Sequence, residues 1–302
     1  MLATQPIVNE PFVLTKCDYF VDVQLWPLTQ QCNPRGWLTN FEDAEQIYAV
    51  HLLNSFMFFR QVLIDPLYSA AFQGISRQLC GAQAFLTAQA NWRSFVDLVL
   101  ITRVTGETPS DTDSGYLFAR LARQLLDVPE DRILSPSECL ESLMLSPRPV
   151  VFVDDIAGSG DQFIATWNRA IALPSNTVMS FSKLASIRHR ADFYYCPLFC
   201  TQKAAARITN ACPNLILAPA HVLPARYSAV AADSVLWPIS LRDEGIAFVE
   251  RASKRAGIPI SDWRGYDDLG LTIAFEHFAV PDATLPLFWW EENGWIPLVP
   301  RR

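Results

Sequence analysis

One stretch decides the fold: Pro149-Val150-Val151-Phe152-Val153-Asp154-Asp155-Ile156-Ala157-Gly158-Ser159-Gly160-Asp161-Gln162-Phe163. Its four apolar residues, 150–153, are typical of a buried parallel strand. The two aspartates are predicted to end that strand, and a loop of small residues, 157–160, follows. Residues 161–170 predict a helix with one apolar face. This order places two carboxylates and a row of backbone N–H groups at the carboxyl end of a strand, where open α/β sheets bind their ligands.

The chain around this stretch alternates between strand and helix patterns. Three further apolar runs predict strands, at residues 95–102, 193–200 and 214–218. Three amphipathic segments predict helices, at residues 116–126, 137–145 and 202–211. Repeated alternation of this kind predicts an α/β fold, with a mostly parallel sheet and helices on both of its faces.

The two ends of the chain have a different texture from this core. We predict one domain over residues 1–302, built as a helical N-terminal extension (1–92), an α/β core (93–222) and an aromatic-rich C-terminal hood (223–302). The extension carries helical periodicity in its second half. The hood ends in a segment rich in proline and tryptophan.

Local signals refine the extension. Residues 19–23 form an apolar run that predicts a short strand. Asn40 is a good N-cap for a helix that begins at Phe41. Asp65-Pro66 predicts the restart of a second helix, because proline is tolerated in the first helical turn.

Composition excludes several classes of protein. Half of the 302 residues are hydrophobic, and 24 basic against 31 acidic residues give a net charge of −7. That balance disfavours broad binding to nucleic acid or to an anionic membrane. No signal peptide or membrane span is recognised, and seven irregularly spaced cysteines fit reduced thiols in a cytoplasmic protein.

The decisive stretch resembles the signature of type I phosphoribosyltransferases, in which an apolar strand, two acids and two spacers precede a small-residue loop. The form Asp-Asp-x-x-Gly-Ser-Gly-x-Gln is more similar to a divergent branch found in prokaryotic conflict (antiphage defence) systems. Blocks that resemble the same branch occur in order along the chain, at residues 37–41, 113–115, 265–271, 285–289 and 295–298.

The resemblance implies a ribose-phosphate ligand, either phosphoribosyl pyrophosphate (PRPP) or a related nucleotide. It assigns the ribose hydroxyls to Asp154 and Asp155, which also help to hold Mg²⁺ as a cofactor. It assigns the phosphate to the segment made of Ala157, Gly158, Ser159, Gly160, Asp161 and Gln162. The alternatives are acids that only solvate a strand end, and an ordinary tight turn.

The phosphate segment departs from the family pattern at two positions. Asp161 and Gln162 stand where the standard loop has glycine followed by a hydroxyl residue. Gln162 can still donate hydrogen bonds. Asp161 adds a negative charge beside a phosphate, a repulsion that a metal ion or a basic residue would offset. The alternative is that this acid points to solvent, where it suits the N-terminus of the helix.

A second loop follows the strand predicted at residues 95–102. In the family, the matching loop binds pyrophosphate, which here implies Arg103, Gly106 and Asp113. The alternative is a surface arginine that pairs with Glu107 or Asp111.

The hood supplies candidates for the pocket of the base or other acceptor. These are Trp289 and Trp290, because aromatic planes stack on bases, and His277 as an acid or base. The alternative is that the tryptophans pack in a core and that His277 is structural.

Two functions follow from these observations. The first is a phosphoribosyltransferase-like protein that binds PRPP or a nucleotide with Mg²⁺ and transfers or releases a ribosyl phosphate, as an effector or component of an antiphage defence system. The second is an inactive sensor of the same fold, which relays nucleotide binding to a partner protein. The intact Asp154-Asp155 pair favours catalysis, whereas Asp161 and the single basic residue of the Arg103 loop favour sensing.

Overall fold

The computed structural model describes residues 7–105, 114–187, 192–276 and 280–301. The chain divides into two compact units. The flanking unit comprises Met1–Ile64 and Pro224–Arg302, and the sheet unit comprises Asp65–Leu223. The predicted division into an extension, a core and a hood stays a prediction.

The described residues form both helices and strands. The α-helices are α1 (Glu10–Asp22), α2 (Pro34–Leu38), α3 (Gln46–Ser55), α4 (Gln61–Cys80), α5 (Phe85–Leu98), α6 (Ser114–Leu126), α7 (Pro136–Leu145), α8 (Asp161–Asn168), α9 (Phe181–Ile187), α10 (Gln202–Ala211) and α11 (Arg242–Ala256). The strands are β1 (Met57–Phe59), β2 (Leu100–Arg103), β3 (Val150–Ala157), β4 (Ile171–Ala172), β5 (Val178–Met179), β6 (Phe193–Thr201), β7 (Leu215–Leu217), β8 (His221–Leu223) and β9 (Ile273–Phe275). Among these helices, none is both long and apolar enough to cross a membrane.

The sheet unit is built on a parallel sheet of five strands. Its order is β2-β3-β6-β7, and β8 also pairs with β6. Strand β6 pairs with β7 at its beginning and with β8 at its end. Helix α6 contacts β2 and β3, and α10 contacts β6, β7 and β8. The predicted α/β class with a parallel sheet flanked by helices is therefore confirmed.

Strand β3 lies in the middle of this sheet, between β2 and β6. Its apolar residues Val150, Val151, Phe152 and Val153 are all buried, as a strand covered on both faces requires. The prediction that the aspartates end this strand is wrong, because β3 continues through both of them to Ala157. Pairing with β6 persists beyond the acids, since Ile156 and Ala157 stay in register with that strand.

The strand predicted at residues 95–102 is only half correct. Residues 95–98 belong to the end of α5, and β2 begins at Leu100. Residues 95–98 are helical because Trp92 and Phe95, one turn apart, stack on each other at 5.3 Å between ring centroids. Both rings also pack against Phe72 of α4. A short apolar run does not distinguish a strand from the buried end of a helix.

Three predictions for the N-terminal segment are also wrong. Residues 19–22 continue α1 rather than forming a strand, and the side chain of Asn9 caps that helix by accepting from the N–H of Phe12 at 3.0 Å. Helix α3 begins at Gln46, not at residue 41. The helix does not restart at Pro66, which lies inside the continuous α4.

Asn40 does not cap α3. Its amide joins two segments of the flanking unit: Nδ2 donates to the carbonyl of Ile296 at 2.8 Å, and Oδ1 accepts from the N–H of the same residue at 2.9 Å. A polar residue before a helical pattern thus serves a long-range contact that local spacing does not reveal.

The core of the flanking unit is aromatic. The indole of Trp37 is buried, stacks on Phe288 and donates from Nε1 to the carbonyl of Leu287 at 2.7 Å. Phe41 packs edge-on against Trp295. Much of the C-terminal segment therefore supplies core side chains to this unit.

Candidate functional site

The two adjacent aspartates of β3 have different surroundings. Asp154 is 2% exposed, and the Oη atom of Tyr195 donates to its Oδ2 atom at 2.9 Å. The ring of Tyr195 in turn stacks on Phe163 of α8, with 4.0 Å between centroids. Asp155 is 9% exposed, and its Oδ1 atom accepts from the N–H of Ile156 at 2.8 Å. Asp155 is therefore the acid with the better access to a ligand.

The electrostatics of the pair point the same way. Burial raises the pKa of Asp154 well above its usual range, and the neighbouring charge of Asp155 raises that pKa further. The buried hydroxyl of Tyr195 has a raised pKa for the same main reason, burial. Both effects favour the protonated form of Asp154 over its charged form.

The small-residue loop connects β3 to α8. Its carbonyl at Gly158 accepts a hydrogen bond from the hydroxyl of Thr201, the last residue of β6. The hydroxyl of Ser159 accepts from the N–H of Asp161 at 3.1 Å. That N–H opens α8, and the first N–H groups of a helix lack partners within the helix. Hydrogen bonds therefore hold the loop both to the start of α8 and to the end of β6.

Gly160 is required by both its conformation and its neighbour. Its φ of +87° lies in the left-handed region, which favours glycine. A Cβ atom added there would lie 3.1 Å from Cγ1 of Ile208 and 3.5 Å from Cα of Ala204, both in α10. The glycine therefore allows α10 to lie directly against the start of α8.

The charge of Asp161 has a basic partner. The guanidinium of Arg207, also in α10, forms a bidentate ion pair with it: Nη2 contacts Oδ1, and Nη1 donates to Oδ2 at 3.3 Å. A basic residue that offsets the charge of Asp161 is thus supplied from a position 46 residues away in the chain.

Arg103 ends β2, in register with Val153 of β3. Its guanidinium carbon lies 3.6 Å from the ring centroid of Tyr116, a cation–π contact. Gly106 and Asp113, and the alternative partners Glu107 and Asp111, lie outside the described residues. The pyrophosphate role of Arg103 stays a prediction.

Thr105 joins the segment after β2 to helix α8. Its N–H donates to Oγ1 of Thr166 at 3.2 Å, and the Thr166 hydroxyl lies 3.0 Å from the carbonyl oxygen of Thr105. Arg169, just beyond α8, donates to the Thr105 hydroxyl. The start of the Arg103 loop and the end of the 157–160 loop therefore both adjoin helix α8.

The sequence matches the PRTase-CE family model over residues 34–301. The chain belongs to the PRTase-CE family. Members are phosphoribosyltransferase-like proteins of conflict systems, so the resemblance found in the sequence is confirmed at the level of the family. No curated protein matches the chain.

The sequence did not point to four residues of this candidate site: Tyr195, Thr201, Arg207 and Arg169. Only Thr201 had a usable signal, because a threonine before an amphipathic helix is a typical N-cap, and its hydroxyl accepts from the N–H of Ala204 at 3.0 Å. The others reach the site through tertiary packing.

The predicted acceptor residues lie in the flanking unit. Trp290 donates from Nε1 to the carbonyl of Ala256 at 2.9 Å, and the ring of Trp289 lies 4.5 Å from the guanidinium carbon of Arg301. Both indoles are partly buried against the core of that unit. His277 lies outside the described residues. An acceptor role for these side chains stays a prediction.

Among the described residues, no group of three or more His, Cys, Asp or Glu side chains is placed to hold a metal ion. Cys196 and Cys200 both lie in β6, and burial raises the pKa of Cys200 to about 12. Buried neutral thiols are poor metal ligands, because the thiolate is the form that binds.

Proposed function

We propose that this PRTase-CE protein binds PRPP or a related nucleotide, with Mg²⁺, at the carboxyl end of β3. The observation that carries the proposal is the continuous path from Asp155 through the 157–160 loop to the first turn of α8. A carboxylate suits ribose hydroxyls, and the N–H groups and positive dipole end of a helix favour a phosphate.

Each acid has its own task in this proposal. Asp155 accepts from the ribose hydroxyls, because it has the greater exposure. Asp154, held by Tyr195, fixes the backbone of the pair, since its Oδ1 atom accepts from the N–H of Asp155 at 3.0 Å. The phosphate segment from Ala157 to Gln162 surrounds the 5-phosphate.

The residues present fit a magnesium ion. Mg²⁺ is usually held by one or two carboxylates together with substrate phosphates, so Asp155, with Asp154 beside it, suffices on the protein side. When bound, the ion would supply positive charge to a leaving pyrophosphate. The Arg103 loop, including Gly106 and Asp113, is proposed to face the same group.

The reaction we propose is a glycosyl transfer. A nitrogen nucleophile, or water in a release reaction, forms a bond to ribose C1 as the C1–O bond to pyrophosphate breaks. Pyrophosphate leaves with the electron pair, and the nucleophile gives up its proton to solvent. The transition state resembles an oxocarbenium ion, so positioning and charge carry most of the catalysis.

The biological setting is proposed from the family. Because PRTase-CE proteins belong to conflict systems, we propose a cytoplasmic effector or component of a prokaryotic antiphage defence system that acts with a partner protein.

A specific observation favours a second candidate, the inactive sensor. Asp154 is buried, which disfavours its charged form, and Asp161 places a carboxylate at the first position of α8. Both features reduce the charge complementarity expected of an active transferase. In the sensor, the same site binds the nucleotide without turnover.

One experiment separates these candidates. PRPP and Mg²⁺ are titrated into the full chain by calorimetry, and pyrophosphate release is measured against pooled bases and nucleotides. Binding with release supports the transferase, and binding without release supports the sensor. No binding by the parent protein, with Asp155→Asn indistinguishable from it, would contradict both.

A further inference from the structure

Helix α10 follows the phosphate loop at three successive points. The hydroxyl of Thr201, which caps α10, donates to the carbonyl of Gly158. One turn later, Ala204 and Ile208 lie against Gly160. The guanidinium of Arg207, also in α10, forms an ion pair with the carboxylate of Asp161. The helix is therefore a fixed wall of the loop.

Asp161 occupies a place that suits an anion. It is the first residue of α8, and a negative charge there is stabilised by the helix dipole. A ligand phosphate would enter the same positive field and would be repelled by the carboxylate. The side chains of Asp161 and Arg207 are each 41% exposed, so either can turn toward solvent without leaving a buried charge.

We propose that Arg207 is the cation of the phosphate site, and that Asp161 is the counter-charge that releases it when a ligand phosphate binds. Arginine suits this role, because its planar fork binds carboxylate and phosphate oxygens alike in a bidentate manner. The inference rests on the proposed function, since it names the residue that grips the phosphate of that ligand.

The charges give an order that a purely structural ion pair would not give. The pair contributes zero net charge in the parent protein, −1 in Arg207→Ala, +1 in Asp161→Asn and zero in the double variant. Phosphate affinity should therefore rise in Asp161→Asn, fall about tenfold in Arg207→Ala, as losing a charged hydrogen-bond donor implies, and return toward the parent value in the double variant.

The test uses calorimetry on the full chain with two probes, PRPP with Mg²⁺ and ribose 5-phosphate. Arg123→Ala is the matched control, because it removes an arginine from another ion pair of the sheet unit, at 2.9 Å to Glu130. Thermal unfolding of each variant identifies any loss of fold. If Arg207→Ala alone fails to fold, Asp161→Asn and the double variant still decide the question.

The predicted order with ribose 5-phosphate, and parent-like binding by Arg123→Ala, support the inference. Equal losses in Asp161→Asn and Arg207→Ala, or parent-like binding by Arg207→Ala, would overturn it. If PRPP binds and the variants do not differ, only this inference fails. If ribose 5-phosphate binds in the predicted order but PRPP does not, only the proposed function fails. If neither probe binds the parent protein, both are overturned.

Discussion

The Oη atom of Tyr195 donates a hydrogen bond to Oδ2 of Asp154 at 2.9 Å, across the contact between β6 and β3. Both side chains are buried, and the tyrosine ring is held by its stack on Phe163. Two acids that look alike in the sequence therefore have different surroundings: Asp154 is buried and held by a tyrosine, and Asp155 is more exposed.

Tyr195→Phe removes the donor and leaves the carboxyl group of Asp154 without it. We expect the free energy of unfolding to fall by about 1–3 kcal/mol, the cost of an unsatisfied buried polar group. Urea denaturation measures this loss. Tyr194→Phe is the control, because Tyr194 is equally buried and its ring packs against Phe95. Equal effects of the two substitutions would contradict the assigned role of Tyr195.

The raised pKa of Asp154 predicts a pH dependence of stability. Its pKa in the folded protein lies well above 3.8, so the folded state holds this proton more tightly than the unfolded state. The resulting stabilisation is complete below the ordinary carboxyl pKa and is lost as the pH rises through the raised value. Asn does not titrate, so Asp154→Asn should gain stability relative to the parent as the pH rises above about 4, the ordinary carboxyl pKa.

Urea denaturation at several pH values in that range tests this expectation. The exposed Asp131→Asn serves as the control for removing a carboxylate elsewhere in the sheet unit. A stability difference between Asp154→Asn and the parent that stays constant with pH would show that Asp154 is not protonated in the folded protein.

Gly160→Ala should destabilise the protein by about 2 kcal/mol or more. Alanine would have to adopt a left-handed φ at this position, and its Cβ would lie 3.1 Å from Ile208. Both effects destabilise the folded state. Gly74→Ala is the matched control, since nothing lies within 4 Å of its added Cβ and it sits in α4. That change should stabilise by about 0.5–1 kcal/mol. Thermal unfolding compares the two, and a neutral Gly160→Ala would contradict the close approach of α10.

Thr201→Val should weaken both the fold and the site. It removes the cap of α10 and the hydrogen bond to Gly158, for a combined loss of about 1–3 kcal/mol. PRPP affinity should fall as well, because the loop loses its tie to β6. Thr201→Ser retains the hydroxyl and should behave like the parent in denaturation and calorimetry. If the valine variant matched the serine variant, the hydroxyl would have no such role.

The parts of the fold that sequence predicts well are those where local pattern and tertiary burial agree. Strand β6 and helix α10 follow almost residue for residue, because a continuous apolar run and a capped amphipathic helix each have one good solution. Residues 95–98 fail since their aromatic packing on α4 depends on a contact that lies outside the local pattern.

The site shows the same limit. The acids and the glycine loop are contiguous, so their motif is legible in the sequence. Arg207 is not, because an arginine on an exposed helical face resembles any other until the fold brings α10 against Gly160. The difference between Asp154 and Asp155 is equally invisible, since it depends on the hydroxyl of Tyr195 from another strand.

Strand β6 pairs with β7 at its beginning and with β8 at its end, and this arrangement has a consequence for oligomerisation. On its outer side, β6 is covered by two strands of three residues each, β7 and β8, with Pro219 between them. The opposite edge strand, β2, has four residues and is bridged by Ile133. Long unpaired edges are what allow a strand from another molecule to add to a sheet. Within the described residues, the edges of this sheet are short and interrupted, which disfavours oligomers that grow by strand addition.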